Sequence, residues 1–175
     1  MTTDTTLGIA IPVPDPLGAL LTQWREKVGD PLAHVIPPHV TLLPPTDVAG
    51  FQLDDIHQHL AAVARAHAPF QLHLAGTGSF RPMSQVVFVT VAEGISSCEL
   101  LARDIRSGLL HRQLEFPYHP HVTIAHDVPP DMLDLAYAGL AEVDVRVDVD
   151  AFCAFSRDAF GRWVPATEYP LLGAG

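Results

Sequence analysis

The sequence has few cysteines and little positive charge. Of its 175 residues, two are cysteine and ten are Lys or Arg, against 20 Asp or Glu, which gives a formal net charge of −10. A chain so poor in cations offers no broad basic face for the phosphate backbone of a long nucleic acid. The composition therefore argues against extended nucleic acid as a partner, although a few well-placed donors can still hold a single phosphate.

The two cysteines, Cys98 and Cys153, lie far apart and show no spacing typical of a metal or redox motif. We expect buried free thiols, with one disulfide as the alternative. The first residues lack the basic region and long apolar stretch of a secretory signal, and no run approaches the roughly 20 apolar residues of a membrane span. We therefore expect a monomeric, cytoplasmic protein with no membrane partner.

Apolar residues make up 48% of the chain, which is enough for the core of one domain over residues 1–175. Sixteen prolines and twelve glycines favour short elements joined by turns. Apolar periodicity predicts helices at 17–28, 52–67 and 96–110, with a short one opened by Pro129-Pro130-Asp131. It predicts strands at 7–13, 39–43, 70–74, 86–91, 121–125, 143–149, 151–156 and 163–171.

Three local signals set expected boundaries of these elements. Asp15-Pro16 is typical of an N-cap followed by a first-turn proline. Pro44-Pro45 should close the second strand, because proline cannot donate to a sheet ladder. Ser96 and Glu99 have the spacing of a capping box ahead of the third helix.

The order of elements repeats along the chain. Ile9 precedes His39 by 30 residues and Val89 precedes His121 by 32, and each of the two histidines is followed by a helix and then an alternating strand. A repeat of this kind indicates duplication. We predict two similar halves, about 7–80 and 85–171, related by an approximate twofold axis.

The same four residues, Pro-His-Val-Thr, occur at equivalent points of both halves, as 38–41 and 120–123. In a strand, positions i and i+2 share a face, so His39 points with Thr41 and His121 with Thr123. If the two strands meet, two imidazoles and two hydroxyls converge on one cleft. One neutral imidazole can accept a proton while the other, protonated, donates one, and the hydroxyls can bind phosphate oxygens. This pattern predicts phosphodiester chemistry without a metal or other cofactor.

These duplicated motifs resemble those of the 2H phosphoesterase superfamily, which includes 2′-5′ RNA ligase-like proteins and 2′,3′-cyclic phosphodiesterases. The resemblance covers nearly the whole chain and implies an α+β fold of two lobes, with two antiparallel sheets and outer helices around a V-shaped central cleft. It also implies that both chain ends lie in one lobe and the middle of the chain in the other. The implied reaction opens a 2′,3′-cyclic phosphate to a 2′-phosphate, and the acidic composition favours a small nucleotide or a short RNA end as substrate.

Three further residues are candidate substrate contacts. Tyr118 precedes the second motif and could stack on a base, and Arg81 and Arg157 lie at strand ends where a guanidinium could reach a phosphate. His119, His121 and His126 also permit a metal site, since His-x-His on a strand can present two ligands to one ion. A 2′-5′ RNA ligase and a non-catalytic module that binds nucleotides or RNA ends are the alternative functions.

Overall fold

The computed structural model describes residues 3–175 as eight strands and four helices with two single 3₁₀ turns. The helices are α1 (Leu17–Lys27), α2 (Leu53–Ala66), α3 (Ile95–Ile105) and α4 (Pro130–Gly139). The strands are β1 (Thr5–Pro12), β2 (His39–Val48), β3 (Phe70–Ser79), β4 (Val86–Glu93), β5 (His121–His126), β6 (Asp144–Val149), β7 (Ala151–Arg157) and β8 (Trp163–Pro170).

The strands form one curled antiparallel sheet in the order β6-β3-β4-β5-β2-β1-β7-β8. Strands β2, β1, β7 and β8 make one four-stranded half, here lobe A, and β6, β3, β4 and β5 make the other, lobe B. The halves are joined at the sheet centre by a single pair, Val40 with Val122. This confirms the α+β fold, with the two predicted sheets connected through one residue pair. As the resemblance implied, the described ends of the chain belong to lobe A and its middle to lobe B.

The lobes do not follow the repeat boundaries predicted from the sequence. Strand β3, the last element of the first predicted half, pairs with β4 on one side and with β6 on the other. Strand β3 therefore ties the two predicted repeats together, through a hairpin with β4 and a long-range ladder with β6. The twofold relation between 7–80 and 85–171 stays a prediction.

The four helices pack on the same core as the sheet. Each contributes a leucine whose side chain is completely buried: Leu21, Leu60, Leu101 and Leu133. Helix α1 contacts β5 of lobe B, and α3 contacts β2 of lobe A. These two helices therefore reach across the centre of the sheet. These crossed contacts hold the central strands β2 and β5 from behind.

Strand β2 does not end at Pro44-Pro45, as the sequence suggested, but continues to Val48. The ladder with β1 is irregular at this point, since Leu43 pairs with Ile9 and the next pair is Thr46 with Leu7. The two prolines therefore lie in a bulge, where a missing N–H costs no ladder hydrogen bond. The expectation failed because it treated every residue of the strand as a donor.

The helix starts also differ from the expected capping. Helix α3 begins at Ile95 after Gly94, and no side-chain cap bond is formed, so the capping box at Ser96 and Glu99 is wrong. Gly94 has φ of +93°, a conformation that favours glycine, and it turns the chain directly from β4 into the helix. At α1, Asp15 accepts a hydrogen bond from the backbone N–H of Ala19 at 2.9 Å, so the expected capping carboxylate acts from two residues before the helix.

Both cysteines are buried free thiols, as expected. Burial raises the pKa of Cys98 to about 12, which keeps this thiol protonated at neutral pH. Among residues 3–175, none of the helices has the length and apolar character needed to cross a bilayer.

Helix α3 offers a matched test of this packing. Leu101 is fully buried, whereas its neighbour Leu100 is 46% exposed. We expect Leu101→Ala to lower the free energy of unfolding by about 2–5 kcal/mol, because it leaves a cavity in the core. Leu100→Ala should change it by less than about 0.5 kcal/mol. Urea unfolding followed by circular dichroism measures both values, and equal losses would contradict the described position of α3.

Candidate active site

The two central strands bring both motifs to one place. Val40 and Val122 pair directly, and in an antiparallel ladder this register sets His39 across from Thr123 and Thr41 across from His121. Val40 and Val122 are completely buried, whereas the histidines and threonines on either side of them are partly buried. Diagonal positions of adjacent strands are about 7–8 Å apart, so the two imidazoles lie within reach of one small group.

Each imidazole is held by a backbone carbonyl two residues earlier. Nδ1 of His39 lies 2.7 Å from the carbonyl oxygen of Pro37, and Nδ1 of His121 lies 2.7 Å from that of His119. A carbonyl oxygen can only accept a hydrogen bond, so both Nδ1 atoms carry the proton. The Nε2 atom of each neutral ring therefore keeps its lone pair, and that of His39 lies 3.1 Å from Oγ1 of Thr41.

The proline before each histidine is a signal for this geometry that the sequence analysis did not use. Pro38 and Pro120 restrict the residues before them, Pro37 and His119, to extended conformations. The carbonyl group two residues before each histidine is thus directed by local chain chemistry. The repeated Pro-His-Val-Thr motif therefore favours the Nδ1-protonated tautomer of its histidine and also determines the strand face on which that histidine lies.

A buried ion pair fastens the loop that leads into His39. The Nε of Arg25 donates to the carboxylate of Asp30 at 3.0 Å, and its other nitrogens donate to the carbonyl groups of Leu32 and Ile36. Both side chains are nearly inaccessible to solvent. Arg25 therefore fixes the backbone up to the residue before Pro37, whose carbonyl orients the imidazole.

Aromatic rings surround the second histidine. The His121 ring meets Phe80 edge to face, with centroids 4.9 Å apart, and Phe88 at 5.2 Å. The His119 ring packs against the same two rings at 5.3 and 5.4 Å. Phe80 is partly buried and contributes one wall of this cluster. The cluster restricts the His121 imidazole on the side of lobe B.

Burial lowers the pKa of both histidines from the ordinary value of 6.5. For His39, removal from water is the largest cause, and the positive charge of Arg25 adds to it against the opposing bond to Pro37. For His121, burial is again the largest cause, and the nearby His119 and His39 also disfavour the charged ring. The ligand-free cleft thus holds two neutral imidazoles at pH 7, and protonating one disfavours protonating the other.

The other three candidate residues have partners within the protein. The Tyr118 hydroxyl donates to the backbone carbonyl of Thr41 at 2.8 Å and so ties the loop before β5 to β2. Arg81 bonds the carboxylate of Asp134 at 2.8 Å, which anchors the β3–β4 turn to α4. The guanidinium of Arg157 lies 5.0 Å from the ring centroid of Trp163. Their roles as substrate contacts stay predictions.

The possible metal ligands do not converge. In the described part of the chain, residues 3–175, no three His, Cys, Asp or Glu side chains cluster as ligands for one ion. His126 is five positions from His121, so the two side chains leave the strand on opposite faces. Nearby, the Nε2 of His126 pairs with the carboxylate of Asp127 at 3.2 Å.

Comparison with known proteins gives a consistent set of relatives. The sequence model of the 2′-5′ RNA ligase superfamily matches residues 13–159. A candidate phosphoesterase of Bacillus cytotoxicus is 34% identical over 100 residues, which cover 57% of this chain and 58% of that protein. The chain thus spans less than two thirds of the length of the curated relatives it matches.

Solved structures share the fold over nearly the whole chain. LigT of E. coli complexed with ATP aligns with a TM-score of 0.70 and 22% identity, covering 97% of this chain and 99% of LigT. The protein TT0787 of Thermus thermophilus aligns with a TM-score of 0.69 and 24% identity, covering 97% of this chain and 100% of that chain. At these identities the likeness shows a common fold.

The protonation state of the cleft can be measured directly. Both imidazoles should titrate below pH 6.5, because burial disfavours the charged rings. Nitrogen-15 NMR of the histidine side chains would report each pKa and should show the proton on Nδ1 in both neutral rings. Inorganic phosphate should raise at least one of the two pKa values, since a bound anion favours an imidazolium. A pKa of 6.5 or above for both rings without ligand would contradict this description.

Proposed function

The chain belongs to the 2′-5′ RNA ligase superfamily, whose model matches residues 13–159, and on that premise we propose that it is a metal-independent phosphodiesterase. Its proposed reaction opens a 2′,3′-cyclic phosphate, on a nucleotide or a short RNA end, to a 2′-phosphate. The observation that carries the proposal is the pair of imidazoles, each with Nδ1 bonded to a backbone carbonyl, on two strands joined at Val40 and Val122.

The proposed mechanism uses one Nε2 as base and the other as acid. The neutral ring accepts a proton from water as the water oxygen attacks phosphorus. The protonated ring gives its proton to the ribose 3′-oxygen as the bond from phosphorus to that oxygen breaks. The product is a 2′-phosphate, and one proton has moved from water to the 3′-hydroxyl. Reversal of the same steps exchanges the roles of the two rings.

The hydroxyls of Thr41 and Thr123 would hold the non-bridging oxygens of the phosphate. Thr41 already contacts Nε2 of His39 at 3.1 Å, so its hydroxyl lies beside the reacting group. Binding of the anionic substrate also favours the protonation state that the mechanism needs, in which one ring is protonated and the other is neutral. Both imidazoles have lowered pKa values in the free protein, and a negative phosphate between them favours protonation of one ring.

The comparisons support a nucleotide as the class of substrate. E. coli LigT has been solved in complex with 3′-AMP, ATP and phosphate. The net charge of −10 of this chain favours a compact nucleotide or RNA end over a long polyanion. The family description also favours 2′-5′ RNA ligation as a second candidate. Ligation would use the same two proton transfers, with the 5′-hydroxyl of a second RNA end in place of water as the nucleophile.

Substitution of either histidine tests the catalytic roles. His39→Ala and His121→Ala should each lower kcat for 2′,3′-cyclic AMP by at least about 100-fold, the low end for one acid or base. Turnover by the unchanged protein should survive EDTA, and the product should carry its phosphate on the 2′-oxygen. His34→Ala, at an exposed site, is the matched control and should keep full activity. Loss of turnover in EDTA would establish the metal alternative instead.

The pH profile of this activity follows from the lowered pKa values. The acid must be protonated and the base neutral, and burial places both free-protein pKa values below 6.5. The bell of kcat/KM should therefore peak below pH 6.5 and decline towards pH 8, as the acid loses its proton. The profile of kcat should extend to higher pH, because bound phosphate favours the protonated acid. A kcat/KM maximum at pH 8 would contradict the described burial of the two rings.

The threonine roles predict a smaller effect than the histidines. Thr41→Val and Thr123→Val preserve shape and remove one donor to a charged oxygen, a bond typically worth about 1.5–3 kcal/mol. Each should lower kcat/KM by about 10- to 100-fold without shifting its pH maximum. Assay of joined product from two RNA ends on the same samples separates the ligase from the phosphodiesterase. Nucleotide binding without turnover of either kind would leave only the binding module.

A further inference from the structure

The two half-sites differ at one equivalent position. In lobe A, Ala10 of β1 pairs with Thr41. In lobe B, Phe88 of β4 pairs with Thr123. The residue that pairs with the motif threonine thus carries a methyl side chain in lobe A and a benzyl side chain in lobe B. Since both motifs read Pro-His-Val-Thr, this difference is a source of asymmetry in the cleft.

The space beside Thr123 is filled. The Phe88 ring lies over Gly78, where an added Cβ would be 2.6 Å from two ring atoms, so the ring occupies the room that any side chain there would need. Its centroid is 4.5 Å from that of Phe80 and 5.2 Å from that of His121. The Phe80 and Phe88 rings therefore occupy space on this side of the cleft.

The space beside Thr41 is open. A pocket of about 90 Å³ lies beside Ala10, and its lining includes Ile36, Phe155 and Trp163 together with His39 and Thr41. A closed apolar cavity of about 150 Å³ holds benzene. This pocket is smaller, but it is partly open to solvent and is lined by His39 and Thr41, so a planar ring can enter by one edge and keep the other in solvent.

The chemistry of the walls restricts what the pocket can bind. Apart from His39 and Thr41, all of its lining side chains are apolar, and none is Lys, Arg, Asp or Glu. A phosphate or a sugar bearing several hydroxyls would lose hydration there without gaining partners. A neutral, flat, largely apolar group with an aromatic neighbour is the class that such walls favour.

We propose that this pocket binds the nucleobase of the substrate. The inference rests on the proposed function, because a 2′,3′-cyclic phosphate and its base are attached to neighbouring carbons of one ribose. A base in the pocket places that ribose beside His39 and Thr41 and the phosphate between the two histidines. The nucleoside then enters in one orientation, with its base in lobe A, although the two motifs are alike.

Filling the pocket tests the proposal. Ala10→Phe reproduces in lobe A the residue that lobe B already carries. It should weaken binding of adenosine 2′-monophosphate at least 10-fold more than binding of inorganic phosphate, both measured by calorimetry on the full chain. Ala10→Val should give a smaller effect in the same direction, and it is the variant to use if the larger ring prevents folding. Ala62→Phe, on the exposed face of α2, is the control and should leave the affinity ratio unchanged.

Tryptophan emission gives a second readout that does not depend on filling the pocket. The chain has two tryptophans, and Trp24→Phe leaves Trp163 in the pocket wall as the only one. Adenosine 2′-monophosphate should quench or shift its emission, whereas inorganic phosphate should not. If Ala10→Phe weakens both ligands equally, or the nucleotide binds without changing Trp163 emission, the pocket is not the base site. Turnover of cyclic nucleotides would remain intact in that case, so this failure differs from failure of the proposed function.

Discussion

The cleft depends on one backbone contact, the pairing of Val40 with Val122 between the two central strands. Each lobe has its own ladders, and among the strands of residues 3–175 this is the only ladder pair that joins the two sets and fixes the register of the two motifs. The strands are supported from behind, because α1 reaches β5 and α3 reaches β2. Both valines are fully buried, so a shift of this pair would expose apolar surface as well as separate the histidines. The packing of the core therefore also fixes the geometry of the site.

The burial of the two histidines favours an ordered, neutral ring and disfavours the protonated ring. It orders the rings, through the Pro37 and His119 carbonyls and the aromatic residues around His121. It also lowers both pKa values, which leaves the free protein without the protonated acid that the proposed reaction requires. A negatively charged substrate resolves this conflict, since the anion stabilises one imidazolium. In this scheme the phosphate acts as substrate and also completes the protonation state of the site.

The near repetition of the motifs hides a structural difference between the lobes. The histidines, the threonines and the prolines before them are identical in type and spacing, which suits a phosphate group with two similar oxygens. The flanking strands are not identical, because a small residue, Ala10, pairs with Thr41 and a large one, Phe88, pairs with Thr123. An asymmetric substrate needs an asymmetric site, and here it is the neighbours of the motif that supply it.

The sequence by itself determined which side chains point together and which are buried, because the alternation of a strand is a local property of the chain. His39 with Thr41, His121 with Thr123 and the buried valines between them follow from that rule, as do most of the helices. Other features depended on which segments become neighbours. The passage of β2 through Pro44-Pro45 needed a bulge opposite β1, and the start of α3 needed a glycine turn in place of a capping box. The pairing of β3 with β6 and the contrast between Ala10 beside Thr41 and Phe88 beside Thr123 depend on residues that are far apart in the sequence. Local periodicity carries no information about such partners, so only the tertiary structure could decide them.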